Sequence, residues 1–131
     1  MKKIIPLISL TLCLGAFGCG ADCPVTGANG DYSGGDYTSC DLSSLSLTNP
    51  DFSNADLTGV DLTGATLTNP EFTGAKLNNA VFTNAQMTNP DFTDADLSGA
   101  VFTNASVSNP TCSNTTGSDL SGATVTNNDG C

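Results

Sequence analysis

The sequence predicts an all-β solenoid: a chain wound as a square coil about four coils deep, with its apolar side chains inside the tube. Three observations carry this. A large apolar residue returns at every fifth position, at Leu42, Leu47, Phe52, Leu57, Leu62, Leu67, Phe72, Leu77, Phe82, Met87, Phe92, Leu97, Phe102 and Val107, and a small one usually stands two places earlier, as at Ala55, Ala65, Ala75, Ala80, Ala85, Ala95, Ala100 and Ala105. Proline takes the small place at Pro50, Pro70, Pro90 and Pro110, each time after asparagine, so a period of twenty overlies the period of five. Thr, Asn, Gly and Asp fill most other positions, and all are weak helix formers.

Period five suits neither regular element. On an α-helix five residues advance about 500°, so successive centres miss one another by about 140°. On a continuous strand an odd step sends them to opposite faces. A chain that turns after every pentad keeps them all on one side. Four pentads separate one Asn-Pro pair from the next, so each turn is roughly 90°, and coils stack about 4.8 Å apart as strands do.

Ala55-Asp56-Leu57-Thr58-Gly59 and Ala95-Asp96-Leu97-Ser98-Gly99 match the consensus A-(D/N)-L-x-x. On these residues, and on pentads running from Gly30 to Asn114, the chain resembles the pentapeptide-repeat family. The resemblance implies a right-handed quadrilateral β-helix, a handedness that periodicity alone does not give. It also implies a comparison with acidic cytoplasmic members that mimic DNA and bind gyrase. This chain shares the acidity, but its export signal argues against that role.

In order, residues 1–18 read as a signal peptide. Met1-Lys2-Lys3 is a basic start, and Ile4 to Phe17 is apolar but for Ser9 and Thr11. That is short for a membrane span and has signal-peptide shape. Ala16-Phe17-Gly18 offers an ordinary cleavage site, which would leave a secreted protein. Gly18-Cys19 resembles a bacterial lipobox, with Ala16 where leucine is usual, and makes Cys19 a candidate lipid attachment site. Cysteine parity favours lipid: with Cys19 acylated, Cys23, Cys40, Cys112 and Cys131 remain as an even set. The resulting expectation is a protein anchored by Cys19 to the bacterial envelope, at the outer membrane if the source is Gram-negative.

Residues 19–29, with Pro24 and scattered glycines, read as a flexible tether. The β-helix occupies 30–114. Tyr32 and Tyr37 hold its first centres behind Gly30 and Gly35, which suggests looser packing and phenols that reach water. After Asn114 the register breaks. Leu120 follows Cys112 by eight residues, which reads as an insertion at Thr115-Thr116-Gly117, and Leu120 and Val125 rebuild a partial coil. Residues 115–131 are therefore expected to cap the tube. The four cysteines sit only at its ends. Cys23–Cys40 and Cys112–Cys131 are the expected bridges, because the other pairings span about 19 Å of stacked coils. The alternative keeps Cys40 and Cys112 as free thiols filling inward slots.

Thirteen acids face Lys76 alone once residues 1–18 are removed, a net charge near −12. Nucleic acid and anionic membrane surfaces are poor partners for such a chain. Taken every twenty residues, three faces carry acids before the centres: Asp31, Asp51, Glu71 and Asp91; Asp36, Asp56 and Asp96 around Lys76; and Asp41 and Asp61 followed by Val81 and Val101. The fourth is neutral, with Ser46-Leu47-Thr48, Thr66-Leu67-Thr68, Gln86-Met87-Thr88 and Ser106-Val107-Ser108. With no histidine, no unique carboxylate pair and no phosphate-binding loop, no catalytic residue is nominated and no cofactor is expected. No metal site is nominated either, since no D-x-[DN]-x-[DN]-G loop occurs, although an acidic surface that attracts calcium is one alternative. Another is ice binding, because the Thr/Ser ranks of the neutral face resemble those of β-solenoid antifreeze proteins. The favoured expectation is a non-enzymatic, envelope-anchored protein with a structural or interaction role toward an unidentified protein partner.

Overall fold

The computed structural model describes residues 23–38, 40–127 and 131. The signal peptide 1–18 and the lipid site Cys19 lie outside them. The chain is a parallel β-solenoid of about four turns. Five short strands define one face: β1 (Ser46–Thr48), β2 (Thr66–Thr68), β3 (Gln86–Thr88), β4 (Ser106–Ser108) and β5 (Thr124–Thr126). They pair in parallel in chain order. The other faces are joined by single parallel bridges at the acidic positions, such as Asp51 with Glu71 and Asp61 with Val81.

Proline marks the face that is drawn out as strand through its first four rungs. On the other faces the small residue donates its N–H back to the preceding centre's carbonyl, as Ala55 does to Phe52 at 3.0 Å and Ala65 to Leu62 at 3.0 Å. Pro50, Pro70, Pro90 and Pro110 have no N–H to give. Their corners stay open, and the residues before them lie extended as β1 to β4. At the corners the residue two after the centre takes a left-handed conformation, with φ of 57° at Asn54, 69° at Gly59 and 49° at Asn69. Only glycine, asparagine and a few others tolerate this, which explains their periodic return.

All the centres from Leu42 to Val107 are buried. Tyr32, Phe52, Phe72 and Phe92 form one stacked column, with ring centroids 4.9, 5.5 and 5.4 Å apart. Phe82 and Phe102 stack at 4.7 Å on the opposite side. The two columns meet edge to face, as Phe72 and Phe82 do at 6.3 Å. Such pairs add to the area they remove from water. Among the described residues no polar or charged side chain is buried.

Three expectations change. From Cys23 onward the expected tether is a packed segment, because Val25 enters the core, with 3% exposure, over the first coil. The Tyr32 phenol does not look to water: it donates to the Thr26 carbonyl at 2.9 Å and accepts from the Thr26 amide at 3.2 Å. The rings of Tyr32 and Tyr37 fold back over Gly30 and Gly35, where any Cβ would strike them, so glycine there marks a filled slot. At the other end the last circuit is shortened, not lengthened. Val107 pairs with Val125, eighteen residues on, whereas Asp96 still bridges Thr116 at twenty. The two missing residues fall between Thr116 and Thr124, and within that stretch Gly117 lies so close to the Ser98 backbone that a Cβ would not fit. Leu120, Ala123 and Val125 then pack half-buried on the last full coil.

Candidate functional site

The face made by β1 to β5 carries no charged residue. Within each strand the central residue points inward and its neighbours point out. The register is continuous: Ser46, Thr66, Gln86, Ser106 and Thr124 form one outward rank, and Thr48, Thr68, Thr88, Ser108 and Thr126 form the other. The neutral face read from sequence is thus present, and it is one rung longer than expected. Thr124 and Thr126 escaped the reading because the shortened circuit hides them from a count in twenties.

One edge of this face carries a ladder of asparagines. Asn49, Asn69, Asn89, Asn109 and Asn127 each donate from Nδ2 to the Oδ1 of the asparagine one coil earlier, beginning at Asn29, over 2.7–2.8 Å. Every member sits at positive φ, so backbone and side chain ask for the same residue. Four members were legible as the Asn-Pro repeat. Asn29 precedes Gly30 and Asn127 follows the shortened circuit, so neither carried that mark.

The acidic faces have a local explanation. The aspartate before a centre accepts, through Oδ1, the N–H of the residue after it, as Asp51 does from Ser53 at 2.9 Å and Asp61 from Thr63 at 2.9 Å. Hydroxyls join in, from Thr58 to Asp56 at 2.7 Å and from Ser98 to Asp96 at 2.6 Å. The signal was Asp, then any centre, then Ser or Thr. The Ser43, Thr58 and Ser98 hydroxyls are the main reason that Asp41, Asp56 and Asp96 hold their protons less tightly than usual; at Asp119 the Ser121 amide leads. Lys76 leans to one acid neighbour, Asp56, at 3.1 Å. An ion pair this exposed contributes little. Among the described residues no group of three or more His, Cys, Asp or Glu could hold a metal ion.

The cysteines close both ends. Cys23 is bonded to Cys40 with Cα atoms 5.9 Å apart, and Cys112 to Cys131 with Cα atoms 5.0 Å apart. Cys40 fills a small slot, while Cys112 takes the centre position above Phe92.

The family model described as pentapeptide repeats matches residues 38–69 and 71–104, in eight copies. Among solved structures, a pentapeptide repeat protein from the Arabidopsis thaliana thylakoid lumen is 30% identical with a TM-score of 0.65. The alignment covers 70% of this chain and 65% of that one, so this chain spans about two thirds of its relative's length. A pentapeptide repeat protein from the cyanobacterium Cyanothece is 23% identical over 65% of this chain and 59% of its own, with a TM-score of 0.36. No match was found among curated proteins.

Proposed function

This chain belongs to the pentapeptide-repeat family, and from that premise we propose that it is a non-enzymatic, exported interaction protein held to the bacterial envelope by lipid on Cys19. The observation that carries export is the pair of disulfides at the two ends of the tube. Structural disulfides persist in oxidising compartments and are rare in reducing ones. The similar Arabidopsis protein is likewise described from a lumen. The acidic faces keep the tube soluble and turn away polyanions. The neutral strand face is where an uncharged partner surface can come close, since no carboxylate must be desolvated there. Cell fractionation tests the anchoring. Wild-type protein should sediment with membranes and carry acyl mass at its N-terminus, and Cys19→Ser should become soluble. A wild-type protein that is already soluble and unacylated defeats the reading.

A second reading has its own observation. The two ranks on the strand face continue in register over five rungs, a regular and uncharged lattice of mostly Thr and Ser hydroxyls. This supports ice as the partner surface, although Gln86 interrupts one rank. An ice-recrystallisation assay decides it. Activity that is lost with Thr66→Tyr or Thr68→Tyr supports ice binding, and absence of activity in the wild type removes it.

A further inference from the structure

We propose that the Cys23–Cys40 disulfide is a redox latch on the N-terminal end of the tube, and that reducing it opens this end while the coils behind stay wound. Residues 23–29 close the first coil with few contacts of their own. Val25 is the one side chain they bury in the core, and Pro24, Thr26, Gly27, Ala28 and Asn29 are exposed. Beyond that, Thr26 makes two hydrogen bonds with the Tyr32 phenol, the Asn29 amide donates to the Thr48 carbonyl at 2.7 Å, and Asn29 accepts from Asn49. So short a stretch, with its backbone largely in water, sits at the low end of local stability. The covalent bond is its main tie.

What lies beneath is large. Tyr32 stacks on Phe52 and meets Tyr37 edge to face at 6.3 Å, so the segment covers the top of the aromatic column. The coils do not depend on it. The Leu42, Phe52 and Leu57 amides donate to the carbonyls of Asp61, Glu71 and Lys76 in the next coil. Cys40 occupies a slot where a small apolar group suffices, and a thiol serves there as well as half a disulfide.

The chemistry is exchange with a dithiol. Cys23 is the more exposed sulfur and Cys40 is buried. A thiolate of the reductant attacks Cys23, the Cys23–Cys40 bond breaks, and Cys40 leaves as a thiolate that takes up a proton. The second thiol of the reductant then displaces Cys23. Two electrons pass to the protein, leaving two protein thiols and one oxidised dithiol.

The molecule carries its own reporter, because Tyr32 bonds to Thr26 of the latch, Tyr37 meets Tyr32 edge to face, and the sequence has no other tyrosine and no tryptophan. The test is tyrosine near-UV circular dichroism and acrylamide quenching of tyrosine fluorescence on the full chain, with far-UV dichroism beside them. On treatment with a dithiol, the near-UV signal should collapse and the tyrosines become quenchable, while the far-UV spectrum persists. Cys23→Ala/Cys40→Ala should show this state without reductant, and oxidised Cys112→Ala/Cys131→Ala should not. Tyrosine signals unchanged in the reduced protein and the Cys23→Ala/Cys40→Ala variant would show that the segment stays docked without the bond. A far-UV spectrum lost together with the tyrosine signals would show that the bond holds the whole coil. Either result overturns the latch.

Discussion

Val81 and Phe82 are chain neighbours with opposite surroundings. Phe82 is 0% exposed, stacked on Phe102 and set edge to face against Phe72 and Phe92. Val81 is half-buried on the outside, bridged to Asp61 and Val101. Phe82→Asp places an unpaired carboxylate among rings and should cost several kcal/mol, on the order of 4. Val81→Asp should stay within about 0.5 kcal/mol. Thermal melts of the two variants give the comparison, and equal losses would mean that the inward register is wrong. The aspartates make a second prediction. Hydrogen bonds to Asp41, Asp56, Asp96 and Asp119 lower their folded pKa values. A depressed carboxyl adds stability above its unfolded value of about 3.9 and loses it as pH falls through the folded value. The melting temperature should therefore be level from pH 7 to 5 and drop below about pH 4. Steady stabilisation on acidification would mean instead that repulsion between stacked acids dominates.

Among the elements, the asparagine ladder isolates one role of a polar side chain from another. Asn69 bonds both ladder neighbours and holds φ at 49°. Asn69→Gly keeps the conformation and loses the ladder bonds, at a cost of about 1 kcal/mol for hydrogen bonds so exposed to water. Asn69→Ala loses both and should cost about 1–2 kcal/mol more. Urea unfolding separates them, and equal losses would leave the left-handed corner without energetic weight. The periods of five and twenty were enough to read the coil, its inward residues and the neutral face. They could not show which face is extended, because the missing N–H of Pro50 and its counterparts marks a corner, not a strand. The acids read as surface charge, since a hydrogen bond from the N–H of residue i+2 leaves no mark on periodicity. The shortened circuit read as an insertion because a forward count of eight from Cys112 to Leu120 cannot tell three residues gained on one pentad from two lost on a pair of pentads. Cys19, on which the anchoring proposal rests, lies outside the described residues and is known from sequence only.

At the scale of the whole molecule, each disulfide closes its own end and neither spans the middle, the sequence separations being 17 and 19. Cys112→Ala/Cys131→Ala should lower stability by up to about 3 kcal/mol through the unfolded chain, measured by denaturant unfolding under oxidising conditions. A middle that no crosslink spans also leaves the tube without a set length, and length can then change only in whole quanta. Excising residues 61–80 joins Val60 to Val81, which keeps every inward slot, both aromatic columns and the proline edge in line. This truncated chain should fold to a tube about 4.8 Å shorter by small-angle scattering. Excising residues 61–70 removes half a circuit, puts Pro90 on the opposite side from Pro50, and should leave no cooperative melt. A chain built this way can gain or lose reach by duplication or deletion of twenty residues, while its two ends remain the same molecule.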